Sequence, residues 1–251
     1  MTPEIPLPPG FSLKRYDDVM STSDEAKRLA EAGAEHGLVV WAASQSKGRG
    51  RRGNAWASPP GNLYVSLLLR PERTPAQAMQ LSFVAALALS DAIGNVVPAS
   101  AVVTCKWPND VLVNHRKVAG LLLESSTTKA QALDWLVIGM GVNIASAPGD
   151  LARPATALHD EGCAGLTPDR LLISYCAYFA ERYDQWLTRG FAPQREAWLS
   201  RAEGRDGPVT VNLEGESFHG RFIGMDETGA LIVETPDAGR RVVTAGEVFM
   251  P

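Results

Sequence analysis

AVVTCKWPNDVLVNHRKVAGLLLE, residues 101–124, is the stretch whose reading decides the fold. Val102, Val103 and the segment to Lys106 read as a strand. Trp107-Pro108-Asn109-Asp110 carries turn chemistry, because Pro pre-sets φ and Asn and Asp bond their own backbone. Val111 to Val113 resumes the strand texture and leads through Asn114-His115 into Val118 to Glu124, a hairpin. Upstream, Pro75 to Ile93 predicts one helix with Met79, Phe83, Ala86 and Leu87 on a single face. Leu63 to Leu69 reads as a buried strand, Leu38 to Ala43 as a short apolar strand, and Phe11, Leu13 and Tyr16 as strand spacing. Ser21-Thr22-Ser23 before Asp24, Glu25, Ala26, Leu29 and Ala30 is a capped helix start with acids in its first turn. Residues 1–10 are Pro-rich and read as a loose arm. Downstream, Leu133 to Val142 is a strand, Thr167 opens a helix to about Leu187, and a short helix includes Trp198 and Leu199.

The texture changes near Gly204. From Pro208 only short alternating runs occur: Val209-Val211-Leu213, Phe218-Phe222, Leu231-Val233 and Arg241-Val243. Turn signals EGE, DETG and PDAG separate them. Such spacing predicts a small all-β barrel. About 45 residues are too few for much independent stability, so this module is expected to pack on the main domain. The expected domains are 1–203 and 204–251.

Composition narrows the class. The chain has 251 residues, 45% hydrophobic and 21% charged, with a formal net charge of -4. It is too apolar for disorder, and its acidic balance argues against a surface dedicated to nucleic acid. Cys105, Cys163 and Cys176 have no metal-like spacing and suit a reducing compartment. No apolar run reaches about 18 residues, so no membrane span is expected. The start, MTPEIPLPPG, lacks the features of a signal peptide. The expectation is a soluble cytoplasmic protein.

Residues 44–62, SQSKGRGRRGNAWASPPGN, have no hydrophobic period and form a loop. Gly48 to Gly53 interleaves three glycines, which let backbone N–H groups approach an anion, with Arg49, Arg51 and Arg52, whose forked donors match phosphate or carboxylate. A solvated basic turn or a nucleic-acid contact is the alternative. Trp56 is either a lid that stacks on a base or an anchor that pins the loop to the sheet. Lys106 ends an apolar strand, where its charge needs a ligand anion or a salt bridge to Asp110 or Glu124. Gly120 within a strand suggests a close backbone approach. Asn143 is an adenine or ribose partner or a turn cap. The four histidines do not cluster, and no catalytic triad, Walker loop or Rossmann fingerprint occurs. Positive charge, glycine backbone and aromatic surface remain, which suits electrostatic catalysis on a phosphate.

Taken in order, Ser21-Thr22, Gln45, GRGRRG, Trp56, KWPND, RKVAGLLLE (116–124) and GMGVN ending at Asn143 resemble the biotin protein ligase family, from about residue 11 to the C-terminus. The resemblance implies an α+β fold: a mixed, mostly antiparallel sheet with helices, like a class II synthetase, plus an SH3-like C-terminal barrel. It implies a monofunctional enzyme that joins biotin to ATP as biotinyl-5′-adenylate and then transfers biotin to a lysine of a biotin carboxyl carrier domain of acetyl-CoA or related carboxylases. Carried over by position, Ser21, Thr22, Ser23 and Gln45 would hold the ureido ring, with Gly120 close to biotin. Arg49, Gly50 and Arg51 would close over biotin and the adenylate phosphate. Lys106 and Arg51 would be catalytic, Arg52 would join them at the nucleotide, Trp56 would stack on adenine, and Asn143 would contact the nucleotide. Mg2+ would come with ATP through the phosphates, with Asn109 and Asp110 as candidate protein donors.

Two residues depart from the family pattern. Ser23 stands where Asn is usual, and Lys47 stands where Ala is frequent. About twenty residues precede the Ser-Thr motif, too few for a winged helix, so no DNA partner is expected. A homodimer stays an open alternative. The rival readings are a lipoate protein ligase, whose motifs lack GRGRRG and KWPND, and a non-catalytic biotin sensor, which would need a DNA reader.

Overall fold

Strand alternation sorts the apolar side chains of this chain onto the two faces of one sheet. The computed structural model describes residues 5–149, 154–237 and 239–250; the first four residues of the Pro-rich arm lie outside the described residues. The elements run β1 (Ser12–Val19), α1 (Thr22–Glu31), β2 (Leu38–Gln45), β3 (Leu63–Leu69), α2 (Pro75–Ala78), α3 (Leu81–Gly94), β4 (Val103–Lys106), β5 (Asp110–Val113), β6 (Arg116–Thr127), β7 (Leu133–Val142), α4 (Pro168–Arg189) and α5 (Ala192–Leu199). The sheet order is β1-β2-β3-β7-β6-β5-β4. Only β1 and β2 pair in parallel; the other neighbours are antiparallel. The α+β expectation therefore holds, with a mixed, mostly antiparallel sheet.

On one face, Leu63, Val65, Leu67 and Leu69 of β3 and Leu136, Ile138 and Met140 of β7 join a core with α3 and α4. On the other, Leu68 and Val137 pack with Ala26 and Ala30 of α1. Helix α1 starts as expected: the Ser21 hydroxyl accepts from the Asp24 N–H at 3.4 Å, and Asp24 and Glu25 occupy the first turn.

The helix expected over Pro75 to Ile93 is divided. Thr74 and Gln77 form a capping box for α2, and α3 starts again at Leu81. Bonds of the i to i+3 kind (Gln80 N–H to Gln77, Ser82 to Met79, Phe83 to Gln80) tighten the junction. That tightening breaks the 3.6-residue phase. Met79 is consequently 49% exposed rather than sharing the buried face of Phe83, Ala86 and Leu87. Pro75–Gly94 is long and apolar enough by length and composition to cross a membrane, with a mean hydropathy of 1.3, although Gln77, Gln80, Ser82, Ser90 and Asp91 leave no uninterrupted apolar run of 18 residues in it. It is a core element: 67% of the window is buried inside the protein.

The C-terminal runs form a second, five-stranded antiparallel sheet. It comprises β8 (Pro208–Asn212), β9 (Ser217–Met225), β10 (Leu231–Thr235), β11 (Gly239–Val243) and β12 (Glu247–Phe249), in the order β11-β10-β9-β8-β12. Strand β12 is additional to the sequence reading; it is only three residues long and pairs with β8. The module packs on the main domain through Trp107, whose indole N–H donates to the Gly229 carbonyl at 3.0 Å. Gly229 has φ +97°, and a Cβ there would collide with the Phe83 ring. Gly229→Val should therefore lower unfolding free energy by about 1–3 kcal/mol. Urea denaturation, with proteolysis between residues 200 and 208, measures the loosening.

Candidate active site

Register assembles the site on the α1 face of the large sheet. One row of paired residues crosses six strands: Ala42, Tyr64, Gly141, Gly120, Asp110 and Lys106. The next row contains Val40, Ser66, Gly139 and Leu122. Paired residues share a face, so the register places Lys106, Asp110 and Gly120 together. It also brings in Gly139 and Gly141. The glycines leave a floor without side chains.

Trp56 occupies part of that floor. A Cβ on Gly141 would lie 2.5 Å from the indole, and one on Gly120 would lie 3.1 Å from it. The anchoring alternative describes Trp56 in this structure. Its indole Nε1 is buried without a hydrogen-bond partner. A buried donor in that state costs free energy that a ligand acceptor can recover.

The glycine-arginine loop is folded as a small hairpin. Arg49 bridges Ala55, the Gly50 N–H donates to Asn54 O at 2.7 Å, and the Trp56 N–H donates to Gly48 O at 2.9 Å. A 3₁₀ turn (Arg51–Gly53) forms the tip, with Arg52 at φ 55°. Gly48 is required here, since a Cβ would lie 2.5 Å from both Ser58 Oγ and Trp56 O. Arg49 bonds Asp24 at 2.6 Å and lies 3.5 Å from Glu124; Lys27 also bridges both carboxylates. Burial raises the Asp24 pKa, but the Lys27 and Arg49 cations outweigh it and hold the carboxyl below its usual range. Arg51 reaches the small module, donating to Gly246 O at 3.5 Å. Burial lowers its pKa and Arg52 adds to the effect, against the opposing pull of Asp110 and Glu247. A half-buried cation in that state is a favourable place for an anion. Arg51 also borders a cleft of about 310 Å³ between the two modules, with Trp107, Asn109, Leu121 and Thr244.

Lys117 was missed by sequence reasoning. Strict alternation sets it on the opposite face from Gly120. The β5–β6 register shifts between Val111 and Leu112, so Leu112 pairs with Lys117 while Asp110 pairs with Gly120. This bulge turns Lys117 to the site face. Its Nζ lies 2.6 Å from Asp110 and 5.4 Å from the Trp56 ring centroid. The signal was present in RKVAG, but the bulge was not legible. Asp110 and Glu124, the salt-bridge partners considered for Lys106, are bridged by Lys117 and by Lys27 with Arg49.

At the α1 end, Thr22 donates to Gln45 Oε1 from its backbone N–H at 2.8 Å and from its hydroxyl at 3.2 Å. Gln45 Nε2 donates to Ser58 at 3.0 Å. Ser23 and Ser66 are also hydroxyl neighbours, at 3.1 Å. Ser58 and Ser66 were not singled out in the sequence, since neither falls in a motif. Ser21 caps α1. Asn143 is buried, and its side-chain amide donates to Thr156 O at 3.2 Å, the turn-capping alternative. Asn109 clamps β6 through a side-chain bond to Leu121 O. Among the described residues, no group of three His, Cys, Asp or Glu is placed to hold a metal.

Comparison with known proteins gives a consistent set of likenesses. Residues 7–200 match the model of the biotin/lipoate A/B protein ligase family, and residues 207–250 match that of the biotin protein ligase C terminal domain. A biotin--[acetyl-CoA-carboxylase] ligase of Paracoccus denitrificans is 44% identical over 234 residues, which is 91% of this chain and 96% of that protein. The bifunctional ligase/repressor BirA of Bacillus subtilis is 32% identical, over 94% of this chain and 73% of that protein. The biotin protein ligase of Aquifex aeolicus, solved with biotin and ATP, superposes with a TM-score of 0.80 at 26% identity, covering 95% of this chain and 99% of that one.

The glycine floor yields a direct prediction. Gly141→Ala should lift the indole, because the methyl falls within 2.5 Å of it. The emission attributable to Trp56, taken as the difference from a Trp56→Phe variant, should shift to the red in the Gly141→Ala background. An unchanged difference spectrum would place the indole elsewhere.

Proposed function

The chain belongs to the biotin/lipoate A/B protein ligase family, and from that premise we propose that it is a biotin protein ligase: it activates biotin with ATP as biotinyl-5′-adenylate and transfers the biotin to a lysine of a biotin carboxyl carrier domain. One observation carries this reading. A chain of hydroxyl and amide groups, suited to a neutral urea ring, lies on the same sheet face as a row ending in Asp110 and Lys106, beneath an arginine loop. Lipoate offers a dithiolane ring without N–H or C=O groups and would leave that chain unused.

Two anions must meet in the first half-reaction. A biotin carboxylate oxygen attacks the α-phosphorus, the bond to the β-phosphate oxygen breaks, and pyrophosphate leaves. Lys106, Lys117 and Arg51 lower the repulsion and stabilise charge on the phosphoryl oxygens; one such donor is typically worth a factor of about 10²–10³. Binding both reactants on one floor supplies orientation. In the second half-reaction, the neutral amine of the carrier lysine attacks the acyl carbon and AMP leaves. Closure of Arg49, Gly50 and Arg51 keeps water from the mixed anhydride.

Ser21, Thr22, Ser23 and Gln45 form the ureido end, and Gly120 lets biotin approach the backbone once the Trp56 indole has lifted from it. Arg52 serves the nucleotide, and Trp56 does so after its indole leaves the glycine floor, while Asn143, buried and bonded to Thr156 O, acts on the nucleotide only by holding the turn beside it. Asp110 and Asn109 are the protein donors that would hold a Mg2+ brought by ATP, which would offset the phosphate charge; with Asp110 paired to Lys117 and Asn109 engaged with Leu121, substrate oxygens and water would supply most of its ligands. The partners are biotin, ATP and carrier domains of acetyl-CoA or related carboxylases. DNA and membrane have no part in this reading. The three buried free cysteines suit a cytoplasmic setting.

Lys106→Ala and Lys117→Ala should each keep the fold and slow biotin-dependent pyrophosphate release by at least about 10²-fold at saturating biotin and MgATP. Near-normal turnover in either would reduce that lysine to a structural ion. The hairpin of the arginine loop is largely exposed and held by few backbone bonds, so it should open readily when empty and be ordered by the adenylate. Trypsin should then cut after Arg49, Arg51 or Arg52 in the free enzyme and be blocked by biotin with MgATP. Equal cleavage in both states would make the loop a rigid turn.

A further inference from the structure

The hydroxyl chain beneath the site has only one self-consistent proton order. The Thr22 backbone N–H can only donate, so the group 2.8 Å away on Gln45 is its amide oxygen. That oxygen can only accept, so the Thr22 hydroxyl, 3.2 Å away, spends its single proton on it. Thr22 Oγ1 must then accept from Ser66, at 2.9 Å. Ser66 has one proton, now committed, so its contact with Ser23 at 3.1 Å is a bond donated by Ser23. The order runs from Ser23 to Ser66 to Thr22 to Gln45. On the other side, Gln45 Nε2 donates to Ser58, and the Ser58 hydroxyl donates to Trp56 O at 2.9 Å.

We infer that Ser66 is a positioning residue for biotin: by consuming the Ser23 proton through the Ser66–Thr22–Gln45 chain, it leaves Ser23 Oγ a pure acceptor, matched to a ring N–H of the bicyclic urea. The inference rests on the biotin-ligase reading. Ser66 is 0% exposed, so it touches no ligand and acts through its neighbours. Ser23 stands at the start of α1 over Gly139, where the absent Cβ makes room for its oxygen; a Cβ there would collide with Ser23 Oγ. The same relay fixes the Gln45 amide with its NH2 group toward Ser58, leaving one amide proton for a urea carbonyl. A urea ring has both groups, N–H to give and C=O to receive. The serine at position 23 accordingly supplies a lone pair whose direction is set by a partner on β3, the strand that follows the glycine-arginine loop. An asparagine there would carry donor and acceptor together and need no relay.

Kinetics of pyrophosphate release test this, with biotin and with analogues methylated at each ureido nitrogen in turn. In the parent protein, methylation at one nitrogen should raise KM far more than at the other. Ser66→Ala frees the Ser23 hydroxyl to rotate, so KM for biotin should rise about tenfold with kcat within about twofold. The penalty for methylation at the sensitive nitrogen should shrink by a similar factor. Ser66→Thr, which keeps the hydroxyl, should restore both. Should Ser66→Ala fail to fold, Ser66→Cys carries the same test, since its thiol is a poor donor. An unchanged KM, or a fall in kcat shared by all three ligands, would overturn the inference and leave Ser66 a packing residue. Parent activity with an unmoved variant removes only the relay, whereas absence of biotin-dependent release in the parent removes the ligase reading with it.

Discussion

The structure depends on close approach to bare backbone at Gly120, Gly139 and Gly141. Neighbouring strands bring these residues into two adjacent rows, Gly120 opposite Gly141 and Leu122 opposite Gly139. Their Cβ atoms would meet Trp56 and Ser23. Any side chain there would lift the indole or evict the hydroxyl. Helix α1 covers the adjoining part of this face and brings its hydroxyl-bearing first turn to the edge of the floor. The opposite face carries the apolar core. One sheet therefore supplies stability from one side and leaves the other free to bind.

Charge is arranged around that floor with restraint. Arg49 and Lys27 are held by Asp24 and Glu124, and Lys117 by Asp110. These ion pairs are partly exposed, so their contribution to stability is small. Their use is in position: each holds a long side chain at the rim until a stronger anion arrives. Arg51 differs, since it points at a carbonyl of the small module and loses solvation without gaining a full counter-charge. The small module thus bears on the site through Arg51, and through Trp107 at the base of the KWPND turn.

Much of this was legible in the residues. The Ser21 cap, the strand Leu133–Val142 and the helix beginning after Thr167 follow from local rules of capping and alternation. The α+β class and the family follow from motifs that lie together in sequence. What escaped was non-local or broke the period. Lys117 needed a bulge that alternation cannot foresee. Ser66 lies in a strand legible only as buried, and its meaning comes from Thr22, 44 residues away. The interruption at Met79 and Gln80 depends on the Thr74 box and on bonds of Gln80 to distant elements, including Trp186 and Glu227. Strand β12 is three residues long and is defined by its partner β8.

The central claim is that this floor selects a bicyclic urea for transfer to a carrier lysine. Its most direct test is the intact mass of a purified biotin carboxyl carrier domain after incubation with the protein, MgATP and equimolar biotin and lipoate. The account predicts one biotinyl adduct per carrier domain, located at a single lysine and absent without ATP. A lipoyl adduct, or an unmodified carrier with both acids present, would contradict it.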